Sequence, residues 1–305
     1  MRLFKNRGDI YFSKNNKKKS KEQKILIFAL VFIVVFTIVF MIFLGVKNDF
    51  SVKKFFKPEN LEISQEYNEK EVQLPEIAGK KNYVVMLNNE DNLLFTALIQ
   101  ADLDNTAYKC SILKSNTVYD GNTLADIYSK AGAENVKIAV ETLFNVSFDY
   151  YIDMTSSAFA ELYDEMGDVS YLVLDDIKYR NNDDKVSYSV RVKAGQQNIK
   201  GNIFINMIRY YLDTNNFSRA NDLILNSMLQ HNNEENYLNG EKLFTKFVTN
   251  ADTNISVRTF SMADDALMVM SNEKTEIKIY SADPEYSENE LTGKGIKNIK
   301  GYFVK

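Results

Sequence analysis

The sequence predicts an α/β fold, a three-layer α-β-α sandwich around a mixed sheet, preceded by a single N-terminal transmembrane helix. Three observations predict it. An uncharged apolar run occupies 25–46, short strand-like apolar runs follow from residue 83, and segments with helical periodicity are interleaved with those runs.

The run from Ile25 to Val46 reads ILIFALVFIVVFTIVFMIFLGV, with Thr37 and Gly45 as its only interruptions. At about 1.5 Å per residue it makes a helix of roughly 33 Å, enough to cross a hydrocarbon core of about 30 Å. A cleaved signal peptide would have a shorter core followed by small residues, whereas Lys47, Asn48, Asp49 and Phe50 follow here. Residues 1–24 carry nine basic residues against Asp9 and Glu22, a net of +7. The positive-inside rule places that tail in the cytoplasm and the main domain outside a cell membrane, with the lipid bilayer as its first partner. The whole chain carries −4, so everything beyond the tail carries −11. Such an acidic ectodomain argues against nucleic acid as a partner. With Cys110 as the only cysteine, an intrachain disulfide is excluded, and a bacterial cell surface suits this composition better than a disulfide-stapled module.

Residues 47–79 are polar, contain two of the three prolines and read as an extracytoplasmic stalk. The globular domain is expected over 80–282, with 283–305 as a C-terminal tail with room for one short strand. Near-continuous apolar runs predict strands at 83–87 and 93–101, and a shorter one at 171–174. Alternation predicts strands around Tyr108, Cys110 and Ile112 and around Tyr188, Val190 and Val192, and Ile277 and Ile279 suggest a late one. Helical spacing appears at Val136, Ala139, Val140 and Phe144. It recurs at Phe159, Leu162, Tyr163 and Met166, with a cap at 155–157 and Gly167 as the stop. Further helices are expected at 202–212, 219–230, 240–249 and about 258–270.

Several chemistries are excluded by composition. His231 is the only histidine and lies in a polar stretch that reads as an exposed loop, so neither a Ser-His-Asp triad nor a histidine-rich zinc site is expected. Cys110 belongs to an alternating strand pattern and reads as core rather than nucleophile. Glycine-rich phosphate loops are absent from the sequence. The doublets Asp175-Asp176, Asp183-Asp184 and Asp264-Asp265 sit in turn-like or helix-surface contexts and read as solvated charge.

Four segments carry a family resemblance. Phe148 to Met154 reads Phe-Asp-Tyr-Tyr-Ile-Asp-Met and leads into Phe159, Leu162, Asp164, Gly167 and Val169. Gly195 to Gly201 reads Gly-Gln-Gln-Asn-Ile-Lys-Gly, Asn216 to Arg219 reads Asn-Phe-Ser-Arg, and Thr253 to Ser256 reads Thr-Asn-Ile-Ser. In this order, over about 82–270, they resemble the LytR-CpsA-Psr family: its aspartate-tyrosine-tyrosine strand, its Gly-x-Gln-x-Leu-x-Gly hairpin, its Asp-Phe-x-Arg turn and its Thr-Asn-Leu-Ser segment. The resemblance implies an outward-facing phosphotransferase that moves a glycopolymer from a polyprenyl pyrophosphate carrier to peptidoglycan. It further implies aspartates holding magnesium, cations neutralising the pyrophosphate, and an apolar groove for the lipid tail.

This chain departs from the implied site at most positions. The family's Arg-x-Asp-Thr falls on Leu93, Leu94, Phe95 and Thr96, and its Pro-Arg-Asp on Leu113, Lys114 and Ser115. Its lysine falls on Thr123, the second arginine of its Arg-x-Arg pair on Tyr211, and a further arginine on Asp222. Arg209, Arg219 and Lys114 remain as candidate pyrophosphate ligands, and no catalytic or metal-ligating residue is assigned. Each lost fixed charge costs a phosphoryl-transfer reaction about a hundredfold or more.

Three readings follow, and the charge count leaves open whether the chain is an enzyme. The first is a catalytically degenerate envelope protein, a pseudoenzyme. It binds a polyprenyl-phosphate-linked glycopolymer, peptidoglycan or a paralogous envelope protein and needs no cofactor. The second is an active transferase that recruits Asp91 or Asp222 to hold magnesium. The third is a structural or protein-interaction module of a membrane complex.

Overall fold

The computed structural model describes residues 74–182 and 187–304. The expected cytoplasmic tail, the span at 25–46, most of the stalk and Asp183-Asp184 lie outside these residues. Among the described residues no helix is long and apolar enough to cross a membrane.

The architecture is mixed α/β. A six-stranded sheet is built from β1 (Lys80–Asn89), β2 (Asn92–Asp102), β3 (Ala107–Lys114), β6 (Tyr150–Thr155), β11 (Ala251–Thr253) and β12 (Lys278–Ser281), while β4 (Val118–Tyr119) and β5 (Asn122–Thr123) form a small hairpin of their own. The order in the sheet is β11-β6-β1-β2-β3-β12. Pairs β1–β2 and β2–β3 are antiparallel and β1–β6 and β3–β12 parallel, so the sheet is mixed as expected. The apolar runs in β1 and β2 are nearly continuous because both sheet faces are covered.

On one face Val84, Met86 and Leu98 pack with α1 (Leu124–Ala131), α2 (Ala133–Phe144) and α10 (Gly293–Phe303). On the other, Leu87, Phe95, Ala97 and Ile112 pack with α3 (Ser156–Met166), α4 (Gly201–Asp213) and α5 (Phe217–His231). Helix α3 starts where Thr155 accepts the Ala158 amide at 3.2 Å, and it stops at Gly167, whose φ of 108° suits glycine. Gly201 is required for packing: a Cβ there would lie 2.5 Å from Ala160 Cα and 2.6 Å from its carbonyl oxygen, so α3 and α4 touch backbone to backbone.

The runs at 171–174 and 188–192 are strands as expected and lie outside the main sheet, while other expectations are corrected. Strand β7 (Val169–Val173) pairs with β10 (Gly195–Ile199), and β8 (Ile177–Asn181) with β9 (Tyr188–Val192). The segment at 195–201 therefore is not a hairpin with the strand before it, because two residues later the chain switches partner to β7. The expected helix at 258–270 is two short ones, α8 (Val257–Met262) and α9 (Asp264–Met270), broken at Ala263. The described residues of the expected tail, 283–304, are part of the fold: β13 (Tyr286–Ser287), β14 (Glu290–Leu291) and α10 belong to the folded unit, with Ile299 and Phe303 fully buried.

His231 ends α5 and is half-buried rather than in an exposed loop. Its Nε2 lies 2.8 Å from the Gly167 carbonyl oxygen, and its ring meets Tyr163 edge-on at 4.5 Å.

Candidate functional site

Lys114, Arg209 and Arg219 come from the end of β3, the penultimate turn of α4 and the first turn of α5. The short turn after α4, with Asn215 in left-handed conformation, links the two helices that carry both arginines. Lys114 Nζ bonds Asn215 Oδ1 at 2.6 Å and lies 5.6 Å from the ring centres of both Phe217 and Tyr286. Burial lowers its ammonium pKa, with Asp213 pulling the other way. Arg209 stacks 3.8 Å above the Tyr188 ring. Arg219 approaches Asp222 at 3.8 Å.

Carboxylates and tyrosines surround these cations. Asp213, one turn beyond Arg209, accepts from Tyr188 Oη at 2.7 Å, Tyr179 Oη at 3.2 Å and Asn181 Nδ2 at 2.9 Å. Asp222 accepts from Tyr171 Oη at 2.9 Å. Burial, together with these carboxylates, raises the Tyr188 and Tyr171 phenols. The sequence reading missed Asp213 and the tyrosine ring around it. The Arg209-to-Asp213 spacing of four on a helix was a usable signal, whereas the contacts with β8 and β9 have no local signature.

The cluster joins an apolar cavity through one residue pair. Phe95 stands directly opposite Lys114 across the β2–β3 ladder, is 4% exposed and lines a cavity of about 320 Å³. Helices α3 to α5 close it over the sheet with Phe159, Tyr163, Phe204, Ile224 and Met228. Tyr211, at 6% exposure, is buried in the same core. Lys114, Arg209 and Arg219 line none of four principal cavities of the described residues.

Magnesium does not fit these residues. Phe95 offers no ligand atom, and Asp213 and Asp222 already accept bonds from phenols. Asp91 lines a different cavity beside Tyr128 and Asp153, on the α1–α2 side of the sheet, so it and Asp222 do not share a site. Among the described residues no group of three acidic, cysteine or histidine side chains is arranged to hold an ion. Asp176 instead pairs with Lys193 at 2.6 Å, and Asp264-Asp265 open α9.

The Thr-Asn-Ile-Ser segment has a structural role. Asn254 accepts from the Tyr151 amide at 2.9 Å and donates to the Asp149 carbonyl at 3.0 Å, and Ser256 caps α8 through the Thr259 amide at 3.1 Å. It staples edge strand β11 to β6.

The LytR_cpsA_psr family model matches residues 109–302. No curated protein sequence matches the chain. Among solved structures, a putative transcription regulator from Eubacterium siraeum superposes with a TM-score of 0.63 at 18% identity, over 81% of this chain and 98% of that one. B. subtilis TagV superposes at 0.56 and 15% identity, over 74% of this chain and 96% of that one. A structure described as TagT bound to LIIa-WTA superposes at 0.54 and 12% identity, over 73% and 89%. At these identities the likeness is one of fold.

Proposed function

This chain belongs to the LytR_cpsA_psr family, and from that premise we propose that it serves cell-envelope assembly by holding a lipid-linked glycopolymer without transferring it. The apolar chain of the carrier occupies the cavity between the sheet and α3 to α5. The span at 25–46 anchors the protein in the cell membrane, with 1–24 cytoplasmic and the domain outside. The ligand bound to TagT supports a glycopolymer as the kind of partner.

One observation carries the reading. Beside an apolar cavity, the cations are already engaged: Phe95 forms the wall next to Lys114, which bonds Asn215, while Arg209 stacks on Tyr188 and Arg219 lies beside Asp222. Transition-state charge in phosphoryl transfer needs fixed, unengaged countercharge. Removing that while keeping the cavity leaves binding as the chemistry the fold can perform.

The test uses the full chain in nanodiscs with an undecaprenyl-pyrophosphate-linked oligosaccharide, with and without Mg²⁺. The expected result is saturable binding with no release of oligosaccharide, and at least tenfold weaker binding in Ala97→Leu, which fills the cavity. Mg²⁺-dependent release abolished by Arg209→Ala would establish the transferase reading instead. Recovery of protein partners from membranes with no co-purifying lipid would favour the interaction module.

A further inference from the structure

A second, larger cavity of about 660 Å³ adjoins the first. It lies under α6 (Glu234–Leu238), α7 (Gly240–Asn250), α8 and α9, and its apolar lining includes Leu162, Leu243, Phe244, Phe247 and Phe260. Phe244 and Phe260 stack at 4.2 Å. Yet none of α6, α7 or α8 contributes a fully buried residue, so the lid's apolar side chains face space that the protein does not itself fill. The lid is nonetheless held in place. Lys242 and Lys246 both reach Glu165 of α3 at 2.6 Å, and Asn236 donates to the Met166 carbonyl at 3.0 Å.

Only Met166, His231 and Asn232 line both cavities. Of these, His231 carries the one rigid ring, fixed by the Gly167 carbonyl on one side and Tyr163 on the other. We propose that the second cavity takes the distal part of the apolar chain whose proximal part lies in the first, and that His231 is the divider that sets how long a chain must be to reach it. This rests on the lipid-binding reading above. The first cavity matches the small end of ligand sites, and the two together approach the large end. A long chain therefore gains by passing the divider, at about fourfold in affinity per methylene buried. A short chain fits wholly in the first cavity and gains nothing from the second.

The chain has no tryptophan, so a single introduced one reports on one cavity. Phe159→Trp reports on the first and Phe244→Trp on the second, each in the full chain in nanodiscs. Undecaprenyl phosphate is expected to blue-shift both emissions, with at least tenfold tighter binding than farnesyl phosphate, and farnesyl phosphate to shift the Phe159→Trp protein alone. With His231→Ala, or His231→Gln if the first variant does not fold, farnesyl phosphate should shift Phe244→Trp as well. A response to undecaprenyl phosphate at Phe159→Trp alone would overturn the second compartment while leaving the lipid-binding reading standing. Silence of both reporters would remove that reading and this inference together. Farnesyl phosphate reaching both cavities in the native background, or neither His231 variant altering its reach, would overturn the divider.

Discussion

His231 is the only histidine in the chain, and burial pushes its imidazole below the ordinary value near 6.5, against the opposing effect of the Gly167 carbonyl. A depressed folded value means that the unfolded chain binds the proton more readily. The neutral ring therefore contributes its full stability above about pH 6.5, and that contribution is lost as the pH falls through the folded value. Thermal unfolding measured from pH 8 to pH 5 should show a drop in the native chain that is smaller in His231→Gln; equal drops would place the titrating group elsewhere. Cys110 offers a parallel test. Its thiol is fully buried, with Sγ 3.5 Å from Asn221 Oδ1, and burial raises its pKa strongly. Only the thiolate reacts, so a thiol reagent should leave the native chain unmodified and label one site in denaturant. Prompt labelling of the native chain would mean that α5 opens away from β3.

Helix α4 meets α3 at Gly201, and no side chain can be added there without moving backbone. Gly201→Ala should cost about 3 kcal/mol, the upper end for overpacking, because the obstacle is Ala160 main chain rather than a side chain that can turn away. Chemical denaturation measures it, and a cost under about 0.5 kcal/mol, the scatter of neutral surface changes, would refute the close approach. The lid gives a different expectation. Glu165 is the common partner of Lys242 and Lys246, so Glu165→Gln should speed amide exchange across 240–250 and leave the exchange of β1 and β2 unchanged. At this scale the sequence was informative about element type. Periodicity marked α3, α4 and α5 within a residue or two, with a cap and a glycine stop also read for α3, because helix signals are local. Pairing partners were not legible: β7 with β10 and β8 with β9 are chosen by long-range packing onto α4 and α5, and a period-two pattern says nothing about which neighbour a strand takes.

For the whole molecule, position-by-position reading named Lys114, Arg209 and Arg219, which the structure places at the end of β3, in α4 and in the first turn of α5. It read Phe95 and Tyr211 as core fillers, and both are buried in the core between the sheet and α3 to α5. Asp213 stands one turn from Arg209 on α4 and could have been found by that spacing, whereas Tyr179 and Tyr188 reach it from the β8–β9 hairpin, which has no local signature near the helix. The C-terminal segment was misjudged for a related reason. Its sequence is rich in Lys and Gly, yet only one stripe of α10 decides its place, and Ile299 and Phe303 on that stripe are fully buried beneath β1 and α2. Phe303 packs 5.8 Å from Phe148, and its carbonyl receives the Asn82 side chain at 3.0 Å in the core. Asn82 in turn accepts from Gln100 at 2.8 Å, so the last helix closes a polar chain that begins on the central strands. Phe303→Ala should therefore cost about 3–5 kcal/mol through the cavity it leaves. Removing 293–305 should cost more, because it also strips the buried Asn82 amide of one of its two acceptors and leaves only the Ser147 carbonyl. Both are read by urea unfolding of the full chain. If the truncated protein kept native stability, α10 would be an appendage and the domain would end where the sequence pattern first suggested, near residue 282.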